Sequence, residues 1–206
     1  MPKKHRLTEF QKDILKETAN IGSGRASTAL SKLAGEEVKL APPSVDFASI
    51  EKIPKLVRGR RRLVVGAYTS ISGDVGGALV MMFPIKSALS LVSLLEGRKP
   101  SPVLGDADKA VLQEVSHFVS SAYLAALNEF LGIELLHSVP HVVSTFGESI
   151  IDFVLLDVGN RMKDGLLIQT NFVVKKKKIE GDLVLLMALE SADTILKATK
   201  KWMRKL

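Results

Sequence analysis

Cysteine is absent from the chain, which excludes disulfide staples and thiolate chemistry and fits a reducing, cytoplasmic setting. Aromatic residues are few, at 5%, and none lies within the basic runs at 3–6, 58–62 and 175–178. Those runs therefore lack the stacking platforms of a single-strand binder. No apolar run approaches the ~20 residues that a membrane-spanning helix needs. The opening residues are basic but lack the apolar stretch that would follow them in a secretory signal. There is no Gly-x-Ser-x-Gly elbow for nucleophilic catalysis. Gly22-Ser23-Gly24 has the look of a phosphate loop, but it sits inside a helical pattern and lacks the lysine of one. His5, His117, His137 and His141 form no ligand motif: His137 and His141 are four apart, but Pro140 between them opposes the helix that would align them. No metal site and no cofactor of its own are expected.

What remains is an ordinary globular composition, 46% hydrophobic and 25% charged over 206 residues, with a net charge of +7. The basic runs, with a fourth at 200–205, read as solvated loops and a helix end. Binding to nucleic acid would require salt-sensitive retention on a duplex and is not expected.

One stretch breaks the rules of local stability. Residues 13–24 have helical apolar spacing, yet Asn20, Gly22 and Gly24 together cost on the order of 2 kcal/mol relative to alanine. At ~100° per residue, Asp13, Glu17, Asn20 and Gly24 share a sector of roughly 60°. Leu15, Ala26, Ala29 and Leu33 take the opposite side. A carboxylate and a carboxamide therefore project together, away from the core, beside glycines that leave room for another surface.

This element occurs twice. A shift of 97 carries Leu15 to Leu112, Glu17 to Glu114, Ala29 to Ala126, Gly35 to Gly132 and Pro43 to Pro140. The run without a gap over about thirty residues marks a duplication. Asn20 maps onto His117, Asp13 onto Ala110 and Gly24 onto Ser121. A second shift, of 104, aligns Gly77-Ala78-Leu79-Val80 with Gly181-Asp182-Leu183-Val184.

Thr8 and Gln11 predict a capping box opening a helix to Ala34, ended by Gly35. An extended segment broken at Pro42-Pro43 follows. Strands are expected at 61–68 and 77–83 with a turn at 72–74, then a short helix to Leu95 and a linker at 97–105. The second half repeats the plan. A helix at 106–131, capped by Asp106 or Asp108, leads to an extended segment broken at Pro140. Strands at 149–158, 166–174 and 183–189 are separated by turns at Gly159-Asn160 and at the lysine run 175–178 with Glu180-Gly181. A helix at 191–205 closes the chain. The whole reads as one two-layer α/β unit, 1–206, built from halves 7–97 and 105–206. A pseudo-two-fold, a mostly antiparallel sheet and two long helices side by side on one face are expected.

The spacing Asp13, three residues, Glu17, two residues, Asn20, twenty-two residues, Pro43 resembles the signature of the CheC/CheX/FliY family of chemotaxis phosphatases. Asn20-Ile21-Gly22-Ser23-Gly24 and Ala29-Leu30-Ser31 are similar too, and the likeness runs along essentially the whole chain. The doubled layout looks like the two-site CheC type. The resemblance implies hydrolysis of the aspartyl phosphate of a CheY-like response regulator. Asn20 would orient the attacking water and Glu17 would pair with the regulator's active-site lysine, with Asp13, Gly24 and Pro43 in support. The Mg²⁺ would be the regulator's. At the second copy Glu114 and Pro140 are kept, but His117 and Ala110 depart from the pattern, so that site is expected to be weak or dead. The alternative implied is a catalytically feeble scaffold that holds a CheD-like receptor deamidase on its second half.

Overall fold

The computed structural model describes residues 7–158 and 163–203. The basic run at 3–6, the turn expected at Gly159-Asn160 and the end of the 200–205 run lie outside them. Thr8 caps α1 (Glu9–Ala34): its hydroxyl accepts the Gln11 N–H at 3.2 Å, and the Gln11 side chain accepts the Thr8 N–H at 2.8 Å. Gly35, at φ 64°, closes it in the left-handed conformation, and its counterpart Gly132, also at φ 64°, closes α4 (Asp106–Leu131). Neither aspartate caps α4. Gly105 is the N-cap, and Asp108 reaches back to accept its N–H at 2.7 Å. That bond, with Arg98 beside it, holds the Asp108 carboxyl below the ordinary carboxylate range.

Between and after these helices run β1 (Val38–Leu40), β2 (Ser44–Ser49), α2 (Ile53–Leu56), β3 (Leu63–Gly73), β4 (Gly77–Pro84) and α3 (Ile85–Glu96) in the first half. The second half supplies β5 (Leu135–His137), β6 (His141–Phe146), α5 (Gly147–Val158), β7 (Asp164–Val174), β8 (Ile179–Ala188) and α6 (Leu189–Met203). Described strands form one antiparallel sheet in the order β1/β2–β7–β8–β4–β3–β5/β6. Each half thus lends its first strands to the far edge of the other.

The register makes the pseudo-two-fold explicit. Ser44 lies opposite Gln169 and, 97 residues on, His141 lies opposite Tyr68. In the centre Val80 lies opposite Val184, its own counterpart at a shift of 104, so the axis passes between them. Three residues, 41–43, face two on β7, and 138–140 face two on β3, so the same one-residue bulge recurs. Pro43 and Pro140 end these bulges, both buried, where a missing N–H breaks no ladder bond.

Two hydrophobic clusters flank the sheet. One lies under α1, α3, α4 and α6, and the other lies on the opposite face under α2 and α5. The long helices pack side by side as expected. Where they meet, a Cβ on Gly22 would stand 2.8 Å from Cζ of Tyr123, so Gly22 is small because an internal ring covers it. Burial pushes the Tyr123 phenol well above its ordinary pKa, with a hydrogen bond from Ser23 opposing.

Four more expectations need correction. Residues 149–158 are not a strand: they belong to α5, with Ile150, Ile151 and Val154 buried at helical spacing and Asp152 and Asp157 exposed. The edge beside β3 is already taken by β6. Glu180 and Gly181 are not a turn but lie in β8, where the Phe172 ring occupies the space a Gly181 side chain would need. The lysine run does turn as expected, and the hairpin closes there alone, through a 3-10 turn at Lys175–Lys177 and Lys178 at φ 53°. The β3–β4 turn falls at 74–76 rather than 72–74. Leu33, placed with the core by its phase, is 38% exposed near the end of α1.

Candidate functional site

Asp13, Glu17, Asn20 and Gly24 are all exposed on one face of α1, while Leu15, Ala19, Ala26 and Leu30 are buried beneath it. The phase of the apolar residues decides this. Asn20 Nδ2 stands 3.5 Å from Glu17 Oε1, at the outer limit of a hydrogen bond. Neither side chain is committed to the protein's interior, and both are free to take other partners. Asp13 pairs with Lys16 at 3.2 Å, an exposed contact of the kind worth ~0–1 kcal/mol. Nothing lies within 4 Å of where a Gly24 Cβ would be, so no internal packing explains that glycine. The face beside Asn20 is bare. Pro43 does not join these side chains; it shapes the bulge that leads into β2.

The matching face of α4 is built differently. Ala110, Glu114 and His117 are exposed at the same positions. The His117 ring packs against His137, with centroids 5.1 Å apart and planes at 61°. Ser121, in the place of Gly24, donates to the His117 carbonyl at 2.7 Å and sits 3.0 Å from His137 Nε2. An amide beside open space is replaced by an imidazole in a small cluster. His141 turns away and stacks on Tyr68 at 5.3 Å, so the two histidines four apart do not converge. Among the described residues no group of three or more His, Asp or Glu could hold a metal ion. Likewise no described helix is long and apolar enough to cross a membrane.

Sequence reasoning missed His137 as the neighbour of His117. The shift of 97 carries Leu40 to His137, a change from apolar to ionisable that could have flagged it. Tyr123 was missed as the reason for Gly22, because a contact between two helices leaves no mark in either one's periodicity.

Residues 10–46 match the model of the CheC-like family, a segment that holds Asp13, Glu17, Asn20, Gly24 and Pro43. The chain is 23% identical over 169 residues to the CheY-P phosphatase CheC of Bacillus subtilis strain 168, covering 80% of this chain and 81% of that one. The crystal structure of Thermotoga maritima FliY superposes with a TM-score of 0.79 at 17% identity, covering 96% of this chain and 100% of that one. A chain of the CheX–CheY–BeF3–Mg+2 complex from Borrelia burgdorferi does so at 0.55 and 18% identity, covering 82% and 96%. The likeness to the CheC/CheX/FliY family read from the motif therefore holds in sequence and in fold.

Proposed function

We propose that this CheC-like chain hydrolyses the aspartyl phosphate of a CheY-like response regulator, with Glu17 and Asn20 as the working pair. The observation that carries the reading is the exposed, loosely joined Glu17–Asn20 pair beside the bare Gly24. A carboxamide offers a donor and an acceptor without charge, so Asn20 can hold a water in one orientation. The water oxygen attacks phosphorus in line, the bond from phosphorus to the regulator's carboxylate breaks, and the water's proton passes to solvent or phosphate. Such transfers are accelerated chiefly by positioning and electrostatics. Glu17, one turn away, pairs with a lysine of the regulator and fixes the docking register. The Mg²⁺ of the reaction is the regulator's. On this reading the protein works in the cytoplasm, beside its regulator.

The test is phosphate release from a phosphorylated regulator. Asn20→Ala is expected to lose on the order of a hundredfold in rate. Glu17→Gln is expected to lower kcat/KM through KM. Full activity in Asn20→Ala, with normal stability, overturns the assignment.

A second reading, docking of a CheD-like deamidase on the second half, is favoured by one feature. Phe118 (49%), next in sequence to His117, and Leu136 (54%) and Val139 (63%), on either side of His137 in sequence, are exposed. Their counterparts in the first half are Ile21, Lys39 and Pro42. An apolar patch of this sort suits a protein partner. Loss of deamidase binding in Phe118→Ser without loss of phosphate release would support it.

A further inference from the structure

The arginine-rich run at 58–62 has no part in the α1 face, and it rims a separate cleft. On the sheet face opposite α1 and α4, the loop after α2 leaves a space of about 440 Å³ against β4, β7 and β8. Its floor carries Asp182, which lies in register between Met82 on β4 and Asn171 on β7. Asn171 Nδ2 donates to Asp182 Oδ1 at 3.3 Å and to the Gly181 carbonyl at 3.0 Å. Burial pushes the Asp182 carboxyl up from its ordinary pKa, with Asn171, Arg58 and Arg62 pulling the other way and Glu180 adding to the rise. A charge inside a sheet costs stability. Its counterpart in the first half is the buried Ala78, so the fold itself asks for no carboxylate here. A local rule broken without a structural gain points to a binding role.

The mouth supplies the opposite charge. Arg58 and Arg62 line it, and among the described residues neither closes an ion pair with Asp182. The loop is held in place: the Arg58 N–H donates to Gln169 Oε1 at 2.8 Å, and Gln169 Nε2 donates to the Leu56 carbonyl at 3.2 Å. Val64, Met82 and Pro84 supply the apolar part of the same lining.

We propose that this cleft binds a guanine nucleotide. Two adjacent donors, the ring N1–H and the exocyclic amine, suit the Asp182 carboxylate. The flat base lies on Val64, Met82 and Pro84, and the phosphate meets Arg58 and Arg62, whose guanidinia suit its oxygens. Adenine puts a ring acceptor against the carboxylate and is rejected. Inorganic phosphate offers no donor pair to the Asp182 carboxylate and lacks a base to lie on the apolar residues. The volume lies within the ~300–1,000 Å³ of small-molecule sites. The proposal is independent of the phosphatase reading.

The test is calorimetric titration of the full chain with guanosine monophosphate, adenosine monophosphate and inorganic phosphate. Saturable binding of the guanine nucleotide with Kd below about 1 mM is expected, and adenosine monophosphate about tenfold or more weaker. Asp182→Asn should weaken the guanine nucleotide about tenfold and leave the adenine nucleotide unchanged. The double variant Arg58→Gln, Arg62→Gln should weaken both. A folding readout guards against a damaged variant. A carboxyl whose folded pKa is raised penalises the native state above that pKa, and the penalty vanishes below the unfolded value. Asp182→Asn should therefore raise Tm at neutral pH and lose that gain in acid. No saturable guanine nucleotide binding at several millimolar, equal affinity for both nucleotides, or unchanged binding in Asp182→Asn each overturns the proposal.

Discussion

Positions 13, 17, 20 and 24 on α1 and 110, 114, 117 and 121 on α4 occupy the same places in a repeated frame. On α1 they present a carboxylate, a carboxamide and a glycine with open space beside it. On α4 the glutamate survives, but an imidazole replaces the carboxamide and packs on a second imidazole, while a serine fills the glycine's place. Beneath both faces Leu15 and Leu112, Ala29 and Ala126, and Leu30 and Leu127 are buried alike. Packing positions are held by volume, and a change there is felt across the core. Exposed positions carry no such constraint, so chemistry can be lost from one copy without cost to the fold.

The comparison breaks most visibly inside the helix pair. Tyr123 has Ala26 as its counterpart, and Gly22 has Val119, so the interface is large-on-small on one side of the axis only. Tyr123→Ala is expected to cost about 3–5 kcal/mol in denaturant unfolding, because the vacated ring leaves a cavity. A cost under 1 kcal/mol would mean that the ring is not the wedge between α1 and α4.

Activity should divide as the exposed faces do. His117→Ala is expected to leave phosphate release within about twofold of wild type, against the hundredfold loss in Asn20→Ala. Comparable losses in the two variants would make His117 a second water-orienting or proton-transferring group.

The two glycines of α1 separate an internal role from an external one. Gly22→Ala must displace the Tyr123 ring and is expected to destabilise by about 1–2 kcal/mol, strain partly offset by helix propensity. Gly24→Ala meets nothing and should stabilise by up to about 1 kcal/mol while lowering the rate on a docked regulator. A Gly24→Ala variant with unchanged kcat/KM would remove the close approach assigned to that position.

The smallest expected effect restores the symmetry. Ala110→Asp with His117→Asn rebuilds the motif on α4, and independent sites would at most about double the rate, as in the addition of independent contributions. No gain would locate the obstacle in the residues around it, Ser121 and His137 first.

Much of this was legible in the chain. The capping box at Thr8 and Gln11, the left-handed glycines at 35 and 132, the repeat and the shared face of Glu17 and Asn20 are local or periodic features, and a linear pattern records them. The run at 149–158 was misread because a short apolar stretch suits either a strand or a buried helix. The choice was made by β6, which pairs with β3 and leaves no edge there for this run. The sequence by itself determined a duplicated chain with one intact Glu-x-x-Asn face, because helical phase and residue identity are enough to place those side chains outward. Tertiary structure alone decided that each half lends its edge strands to the other, that Gly22 answers to Tyr123, that His117 meets His137 and that Asp182 lies below Arg58 and Arg62. Each of these joins residues from distant parts of the chain, and their meeting is fixed by sheet register and helix packing rather than by any neighbour in sequence.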